Sequence, residues 1–598
     1  MKAQAGSLFV RRLMSFAILS ALLTSPITSH ALTILSGPTF TAAGVNAPLA
    51  GTLQITTDVP SRLTVSVDDG TNAWERIFYD YATVRSMPLL GFKPNRTNQM
   101  TFTVQDKNGV EVASPQHLTF VTAALPSDFP TIVLLQSNPE RMEPGYTLLR
   151  GVNNGTGRGY LMIVDSAAEV VWYSGATSTL DVRQLWNGDL FVPLLNSFYE
   201  MNMVGQTVRT WVLPSGKPYN HEAYPTEHGT ILYMSDASEV ITGFPSSATN
   251  PNAPKITTNL WHQPVVEIST TNAALLNTWL PVNMLDPRRI SYLTFTSPAS
   301  AQYGVDWGHA NAITESPSDN SLIVSLRTQN AVIKFSRATG QLKWILGTPD
   351  NWGPQWQPYL LTPVGTPFEW QFGQHAPKIT PRGTLLLFDD GNYRASPFVS
   401  TPVPDPSNYS RAVEYQINET NMTVSQVWEY GAAPAPSIYS VSRGDAEWLN
   451  QRTNVLITFA DTAYVGGVPP DPFATNAHIV RVQEVTHEAS PQILFDFALF
   501  DYGNPNVAYK GYAAYRSNRI RDLYPPKPVT DLAVDINNSQ ANLTFSGDEV
   551  RLYTVQASTD MVAWANLGTA SSDGSGNFTF VDNLAGGSSN HYYRVQTQ

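Results

Sequence analysis

Three histidines, His221, His309 and His375, recur at equivalent places in successive copies of one repeat. In each copy a short strand ends in Trp, a loop follows, and the histidine precedes a hydrophobic strand. Equivalent positions of stacked repeats point the same way, and in a closed ring they point at one axis. The sequence therefore predicts that three imidazoles gather at one site. A neutral imidazole can act there as a nucleophile, and a protonated one as a proton donor.

The densest polar stretch surrounds the second of these histidines. His309 and Asn311 stand two residues apart, and Arg327 follows on the next strand after a turn. Side chains at positions i and i+2 of a strand share one face, so we expect His309 and Asn311 to point the same way. Hairpin pairing can place Arg327 beside them. An imidazole, an amide and a guanidinium on one surface can grip a tetrahedral oxyanion.

A zinc site is the alternative for the same three histidines. Against it, no carboxylate stands at an obvious spacing to support the imidazoles, and Arg327 would repel a cation. We therefore expect neither a metal nor another cofactor. A single histidine in a β-protein is more often a surface or core residue, and only the recurrence in equivalent copies favours a shared site.

The Trp-ending strand recurs between about residue 130 and residue 524. Repeats of about 40–50 residues or more, each long enough to form about four strands, are typical of a β-propeller. A tandem of sandwiches would not repeat a Trp strand followed by a polar residue. Six units predict six blades, and the sixth is weaker because Phe replaces Trp. The residues concerned are Trp172, Trp211, Trp279, Trp344, Trp428 and Phe495.

Short alternating strands flank the repeats on both sides. We predict an all-β protein with a six-bladed β-propeller at 126–524, after an N-terminal β-sandwich at 32–125. A proline-rich stretch then begins a small fibronectin III-like sandwich at 525–598. The N-terminal sandwich could supply the interface of a homodimer.

Composition supports this class and excludes several functions. The chain has 598 residues, of which 42% are hydrophobic and 14% charged, and its formal net charge is −12. An acidic balance without a Lys/Arg run argues against nucleic acid or an anionic membrane as the main partner. Cysteine is absent, which removes disulfides, thiol catalysis and cysteine-ligated metal centres.

Residues 1–31 have the pattern of a secretory signal peptide. Lys2, Arg11 and Arg12 precede an apolar run that is too short to span a bilayer, and Ala31 is a plausible cleavage point. No other stretch of the sequence is long and apolar enough to span a membrane. We therefore expect a periplasmic or secreted protein.

The repeat region resembles the bacterial arylsulfate sulfotransferases that use no nucleotide sulfate donor. The shared motifs extend over most of residues 130–524, and their order and spacing make them specific together. A cysteine pair of the enteric members is missing here, and the C-terminal domain is an addition. The motifs are Asp306-Trp-x-His309-x-Asn311, Ser325-x-Arg327, Gly340-x-x-x-Trp344-Ile-Leu-Gly347, Trp370-x-x-x-Gln374-His375, Phe388-Asp-Asp-Gly391, Arg411-x-Val-Glu-Tyr415 and Val427-Trp-Glu-Tyr430.

The resemblance implies a ping-pong transfer of a sulfuryl group from a phenolic sulfate ester to a phenolic acceptor, in the central channel of the propeller. It also implies a periplasmic location. His375 matches the histidine that the family sulfates transiently. His309, Asn311 and Arg327 match residues that bind the sulfuryl oxygens, and His221 matches a third histidine. For the aromatic wall that the substrate rings need, we expect Tyr219 and Tyr515.

Two other functions fit parts of the pattern. A non-catalytic propeller could bind a sulfated glycan or another anionic ligand with the same polar cluster. A quinoprotein dehydrogenase also has a Trp-rich propeller, but paired cysteines and an acidic calcium-site motif are not seen in this sequence.

Overall fold

The computed structural model describes residues 31–598, except 115–116, 176–180, 297–303, 433–436, 471–476, 502–510, 528, 538–539, 549–551, 560, 562–563, 574–575, 584–591 and 598. The predicted signal peptide at 1–31 lies outside the described residues except for Ala31. Within the described ranges, α-helix is limited to the single turns α1 (Pro281–Met284) and α2 (Leu293–Thr296), and no helix could cross a membrane. The predicted all-β class is confirmed.

The N-terminal strands form one sheet around a long strand that alternates buried and exposed residues. This long strand, β2, pairs with β1 and β3 in its first half and with β3 and β4 in its second. The order is β1-β2-β4-β5, with β3 beside β2 and β6 beside β4. The strands are β1 (Ile34–Ala42), β2 (Gly51–Asp68), β3 (Ala73–Leu89), β4 (Thr97–Asp106), β5 (Glu111–Ala113) and β6 (Leu118–Val121).

After strand β7, the chain builds three sheets in succession, called here the first, second and third sheets. A hairpin, β17–β18, is inserted into the third sheet and pairs with β21. The strands are β7 (Thr131–Ser137), β8 (Tyr146–Asn153), β9 (Gly159–Val164), β10 (Val170–Ser174), β11 (Arg183–Gln184), β12 (Leu190–Leu194), β13 (Ser197–Met201), β14 (Thr207–Val212), β15 (Tyr219–Pro225), β16 (Thr230–Ser235), β17 (Ala237–Phe244), β18 (Ile256–His262), β19 (Val265–Ser269), β20 (Leu275–Trp279) and β21 (Val305–Asp306).

The fourth, fifth and sixth sheets follow in the same way, and β36 and β37 then return to pair with β8 of the first sheet. The strands are β22 (Ala310–Ser316), β23 (Ser321–Leu326), β24 (Ala331–Ser336), β25 (Leu342–Gly347), β26 (Thr362–Pro363), β27 (His375–Ile379), β28 (Leu385–Asp389), β29 (Arg411–Asn418), β30 (Thr423–Tyr430), β31 (Ile438–Ser440), β32 (Asp445–Trp448), β33 (Asn454–Val465), β34 (Ile479–Thr486), β35 (Ile493–Phe500), β36 (Tyr512–Ala513) and β37 (Ser517–Ile520).

The recurring tryptophans join each sheet to the next one. Each lies on the outer strand of its sheet, and its indole N–H donates a hydrogen bond to the turn before the outer strand of the following sheet. The pairs are Trp172 to Met203 O (2.8 Å), Trp211 to Thr270 O (2.8 Å), Trp279 to Arg337 O (3.1 Å), Trp344 to Glu419 Oε1 (3.0 Å) and Trp428 to Glu488 O (3.0 Å).

The sixth junction uses a serine because Phe495 has no donor. Strand β7 pairs with β35, so that Ser137 lies opposite Phe495. The hydroxyl of Ser137 donates to the carbonyl of Ser166, in the turn before the outer strand of the first sheet, at 2.6 Å. Both ends of this region therefore meet in neighbouring sheets. A six-bladed propeller requires this order of sheets.

The C-terminal strands form two small sheets within the described residues, β38-β39-β43-β42 and β41-β40-β44. The sheets share a core that contains Leu543, Tyr553 and Phe578. The strands are β38 (Thr530–Asn537), β39 (Gln540–Ser546), β40 (Tyr553–Ser558), β41 (Ala565–Thr569), β42 (Ser571–Ser572), β43 (Asn577–Asn583) and β44 (Tyr592–Thr597).

Candidate functional site

The first strands of the third, fourth and fifth sheets each have a break in pairing at a histidine. The pairing register shifts between Asn220 and Ala223, between Ala310 and Ala312, and between His375 and Lys378. One residue at each break, or just before it, has left-handed backbone: His221 (φ 57°), His309 (φ 43°), which directly precedes Ala310, and Ala376 (φ 51°). Such a bulge re-aims a side chain, and it is common beside functional sites.

The left-handed backbone of His309 and the bulge at Asn311 change the predicted arrangement of that strand. His309 precedes β22 in the left-handed conformation, so it and Asn311 are not alternate positions of a regular strand. The expectation that they share one face by strand alternation is therefore wrong. The side chain of Asn311 is fully buried and donates from Nδ2 to the carbonyl of Gln374 at 2.9 Å. Asn311 thereby fixes the residue just before His375.

The structure brings the three histidines together, as the repeat predicts. The ring centroids of His221 and His309 are 4.6 Å apart. The ring of Tyr515 lies 6.0 Å from His221 and 6.1 Å from His375. The first strands of the third to sixth sheets also contact one another in order. The site therefore lies where these first strands meet.

Two buried carboxylates support these imidazoles. Nδ1 of His375 lies 3.0 Å from Oδ1 of Asp390, and Nδ1 of His309 lies 2.6 Å from Oδ2 of Asp306. Both aspartates are 0% exposed. The expectation that no carboxylate supports the histidines is wrong. Each contact leaves Nε2 as the ring nitrogen that can reach a ligand.

Burial and nearby positive charge keep two of the imidazoles neutral. Burial lowers the pKa of His375 well below its usual value, and Arg327 and His221 lower it further. Burial likewise lowers the pKa of His221, with His309 adding to the effect. Burial raises the pKa of Asp390, while Arg327 opposes that rise. A neutral His375 keeps a lone pair for chemistry.

Arg327 lies directly beside the His375–Asp390 pair. Its Nε is 3.6 Å from Oδ2 of Asp390, and its NH2 group donates to Oδ1 of Asn392 at 3.1 Å and to the carbonyl of Val441 at 3.2 Å. The residue is 7% exposed. A guanidinium held in this way offers fixed donors to an anion.

The two tyrosines predicted as an aromatic wall have different surroundings. Tyr515 flanks two of the histidines, and its hydroxyl donates to the carbonyl of Asn311. Tyr219 packs in a hydrophobic cluster, 5.7 Å from the ring of Phe198, and donates to the carbonyl of His221 at 2.6 Å. Tyr219 therefore holds the bulge at His221, and Tyr515 borders the space between the imidazoles.

A buried network of ion pairs surrounds Glu222, the residue that follows His221, and supports the site. Glu222 accepts hydrogen bonds from Arg183 and from Arg516, the latter at 2.7 Å, and from the backbone N–H of Ile313 at 2.6 Å. Asp181 lies 3.1 Å from Arg183 and 3.3 Å from Arg516. Two arginines and two carboxylates balance each other, so this network ties neighbouring sheets together without excess charge.

Taken together, the site offers two histidine–carboxylate pairs and a fixed guanidinium. This set can attack an electrophilic centre, donate a proton and hold an oxyanion. The described part of the chain contains no group of three or more His, Cys, Asp or Glu side chains placed to hold a metal ion.

Comparison with known proteins agrees with this chemistry. The family model for arylsulfotransferase (ASST) matches residues 115–506. This chain belongs to the arylsulfotransferase family. It is 26% identical over 364 residues to the arylsulfate sulfotransferase AssT of Escherichia coli O6:H1, a match that covers 51% of this chain and 58% of that protein. It is 23% identical over 355 residues to AssT of Lelliottia amnigena, covering 50% and 57%. The chain thus spans little more than half the length of these relatives.

Some residues of this site were not found from the sequence. Asp306 stands three residues before His309, and Asp390 follows Phe388, the residue that pairs with His375. Both lie within the motifs already quoted, so their positions relative to the paired strands could have indicated their roles. The bulges leave no such signal, because left-handed backbone at a histidine cannot be read from residue types alone.

Proposed function

We propose that this chain transfers a sulfuryl group from a phenolic sulfate ester to a phenolic acceptor, through a sulfohistidine formed on His375. The observation that supports this most directly is the contact between His375 and Asp390 beside Arg327. When Nδ1–H donates to the carboxylate, Nε2 carries the lone pair. Buried and neutral, this nitrogen can act as a nucleophile.

In the first half-reaction, Nε2 of His375 attacks the sulfur of the aryl sulfate. The sulfur–oxygen bond to the aryl group breaks, and its electron pair goes to the phenolate oxygen. A protonated His309, held by Asp306, donates the proton that turns the phenolate into phenol. Arg327 holds the sulfuryl oxygens. By analogy with phosphoryl transfer, charge is spread over these oxygens in the transition state, so a fixed cation there is effective.

In the second half-reaction, an acceptor phenol takes the place of the first one. His309 removes the proton of its hydroxyl, and the phenol oxygen attacks the sulfur. The nitrogen–sulfur bond breaks and its electron pair returns to Nε2 of His375. The enzyme is then restored, with His309 again protonated. The ring of Tyr515, between His221 and His375, would contact the aromatic group of either phenol.

We also propose that the protein works in the periplasm or outside the cell. This proposal rests on the signal-peptide pattern of residues 1–31. Fractionation of the producing cells tests it: activity confined to the cytoplasm would contradict the proposal.

Transfer is tested with 4-nitrophenyl sulfate, with and without added phenol. Release of 4-nitrophenolate that depends on phenol, with formation of phenyl sulfate, is the expected result. Release without an acceptor would indicate hydrolysis instead of transfer. No release, together with saturable binding of the sulfate ester, would favour a non-catalytic propeller that binds anionic ligands.

A further inference from the structure

The sixth sheet has the same break in its first strand as the sheets that carry the histidines. Strands β31 and β32 both pair with β33, and the segment between them interrupts the ladder. Arg443 lies in this interruption and has left-handed backbone, with φ 64°. By position and backbone it is the counterpart of His221 and His309. Positive φ is strained for a residue other than glycine, and residues with such strain cluster at functional sites.

The neighbours of Arg443 connect it to the site. The carbonyl of Val441 accepts a hydrogen bond from Arg327 at 3.2 Å and another from Asn392 at 3.0 Å. The hydroxyl of Ser442 donates to Asp461 at 2.6 Å. The bulge is therefore held on both sides, and one of its carbonyls orients the arginine that we assign to the sulfuryl group.

Arg443 itself is half-buried, and against the effect of burial its charge, after the hydrogen bond from His478, helps to lower the pKa of Asp461. Among the described residues, its side chain makes neither a hydrogen bond nor an ion pair within 4.0 Å. The nearby carboxylate of Asp461 is already engaged by Ser442 and by Nδ1 of His478, at 2.7 Å. A half-buried guanidinium that donates no hydrogen bond within the described ranges has donors available for a ligand.

A second arginine near this site, Arg150, also lacks an ion-pair partner among the described residues. Arg150 lies on β8, where the register with β36 and β37 places it across from residues 515–516. It is only 6% exposed, its Nε is buried without a hydrogen-bond partner, and within the described ranges no carboxylate pairs with it. By contrast, the adjacent Arg516 is paired with Glu222 at 2.7 Å.

The two unpaired arginines influence each other. Burial lowers the pKa of Arg150 to about 10, and the charge of Arg443 contributes to this shift. Arg443 is also among the charges that lower the pKa of His221 and of His375, after the larger effect of burial. These effects agree with the geometry: Arg150 lies across from Tyr515, whose ring flanks His221 and His375, and Arg443 stands two residues after Val441, whose carbonyl binds Arg327. Burying unpaired charge is costly, and a bound anion would offset that cost.

We propose that Arg150 and Arg443 form a second anion-binding subsite, which holds an anionic substituent such as a carboxylate on the aromatic ring of the substrate. The inference rests on the proposed sulfuryl transfer and names its substrate class: phenols and phenol sulfates that carry a further negative charge. Arg327 then serves the sulfuryl group, and the Arg150–Arg443 pair serves the other end of the ring.

The test compares 4-carboxyphenyl sulfate with the neutral, similarly shaped 4-carbamoylphenyl sulfate as donors to phenol. The wild-type protein is expected to show a kcat/KM at least about tenfold higher for the carboxylate, since one charge-assisted contact is worth about that much. Arg443→Gln and Arg150→Gln should each reduce this ratio about tenfold, mainly through KM.

Arg452→Gln is the matched control, because Arg452 is exposed in the turn between β32 and β33 of the same sheet. Its donor ratio should equal that of the wild type. Equal kcat/KM for the two donors in the wild-type protein would overturn the subsite and leave the transferase proposal standing. A preference for the carboxylate donor that persists in folded Arg443→Gln and Arg150→Gln would also overturn the subsite and leave the transferase proposal standing. Failure to transfer from any aryl sulfate would overturn the transferase proposal and this inference with it.

Discussion

Nδ1 of His375 lies 3.0 Å from Oδ1 of Asp390, and both side chains are almost completely buried. The pairing fixes the orientation of the imidazole and leaves Nε2 as the ring nitrogen that can contact a ligand. Asp390 directly follows the strand that pairs with the strand of His375. The proposed nucleophile and its supporting carboxylate thus belong to one hairpin.

Asp390→Asn should reduce kcat by about 10²–10⁴, because an amide lacks the negative charge that stabilises the imidazole in the required tautomer. The measurement is steady-state transfer from 4-nitrophenyl sulfate to phenol. Asp389→Asn is the control, because the carboxylate of Asp389 binds Nε of Arg411 at 2.8 Å. This change should lower thermal stability, and its effect on kcat should be smaller than that of Asp390→Asn. Equal turnover of Asp390→Asn and the wild-type protein would contradict the assigned role.

The effect of His309→Ala on the rate of transfer should depend on the leaving group. A poorly stabilised phenolate needs the proton from His309 more than 4-nitrophenolate does, so transfer from phenyl sulfate should fall by about 10²–10³ and transfer from 4-nitrophenyl sulfate by much less. Rates for a series of substituted phenyl sulfates give the measurement. The exposed His228 provides the matched control, His228→Ala, with no expected change. A uniform loss across the series would argue against proton donation by His309.

The pH dependence follows from the buried position of His375. Protonation of its imidazole removes the lone pair, and burial, then Arg327, lowers the pKa of this group. The nucleophile therefore stays neutral below the ordinary imidazole pKa of about 6.5, and the acid limb of kcat/KM for the donor should lie below that pH. Removing a nearby positive charge with Arg443→Gln should move the limb to higher pH. An acid limb at or above pH 6.5 in the wild-type protein would disagree with this.

The junctions between sheets predict specific losses of stability. Ser137→Ala removes the hydroxyl that bonds to Ser166, and should lower the free energy of unfolding by about 1 kcal/mol. Trp279→Phe removes the bond to Arg337 and some packing, and should cost about 1–3 kcal/mol. Urea denaturation measures both. Trp186 is 70% exposed, so Trp186→Phe serves as a control that should leave stability unchanged.

The sequence was most informative where one physical role recurs in each repeat. The tryptophans could be recognised because each provides the same hydrogen bond between sheets, and Phe495 was the weak case because a serine from β7 provides that bond instead. The histidines were found for the same reason. Sequence spacing alone could relate positions within a repeat, but it could not show which strand each loop returns to.

Residues that act through strand pairing or backbone conformation were missed. Asp390 supports His375 from the neighbouring strand, and Arg443 occupies a position equivalent to the histidines in a sheet without such a histidine. Asn311 and Tyr219 were expected at the ligand, and both use their side chains on backbone carbonyls near the histidines. Bulges set these directions, and regular strand alternation predicts them incorrectly.

The most direct test is the mass of the intact protein after mixing with an aryl sulfate in the absence of acceptor, followed by peptide mapping. We predict the addition of one SO3 group, located on His375, its loss when phenol is added, and its absence in His375→Ala. Transfer that proceeds at full rate in His375→Ala, or a sulfuryl group found on another residue, would contradict the account.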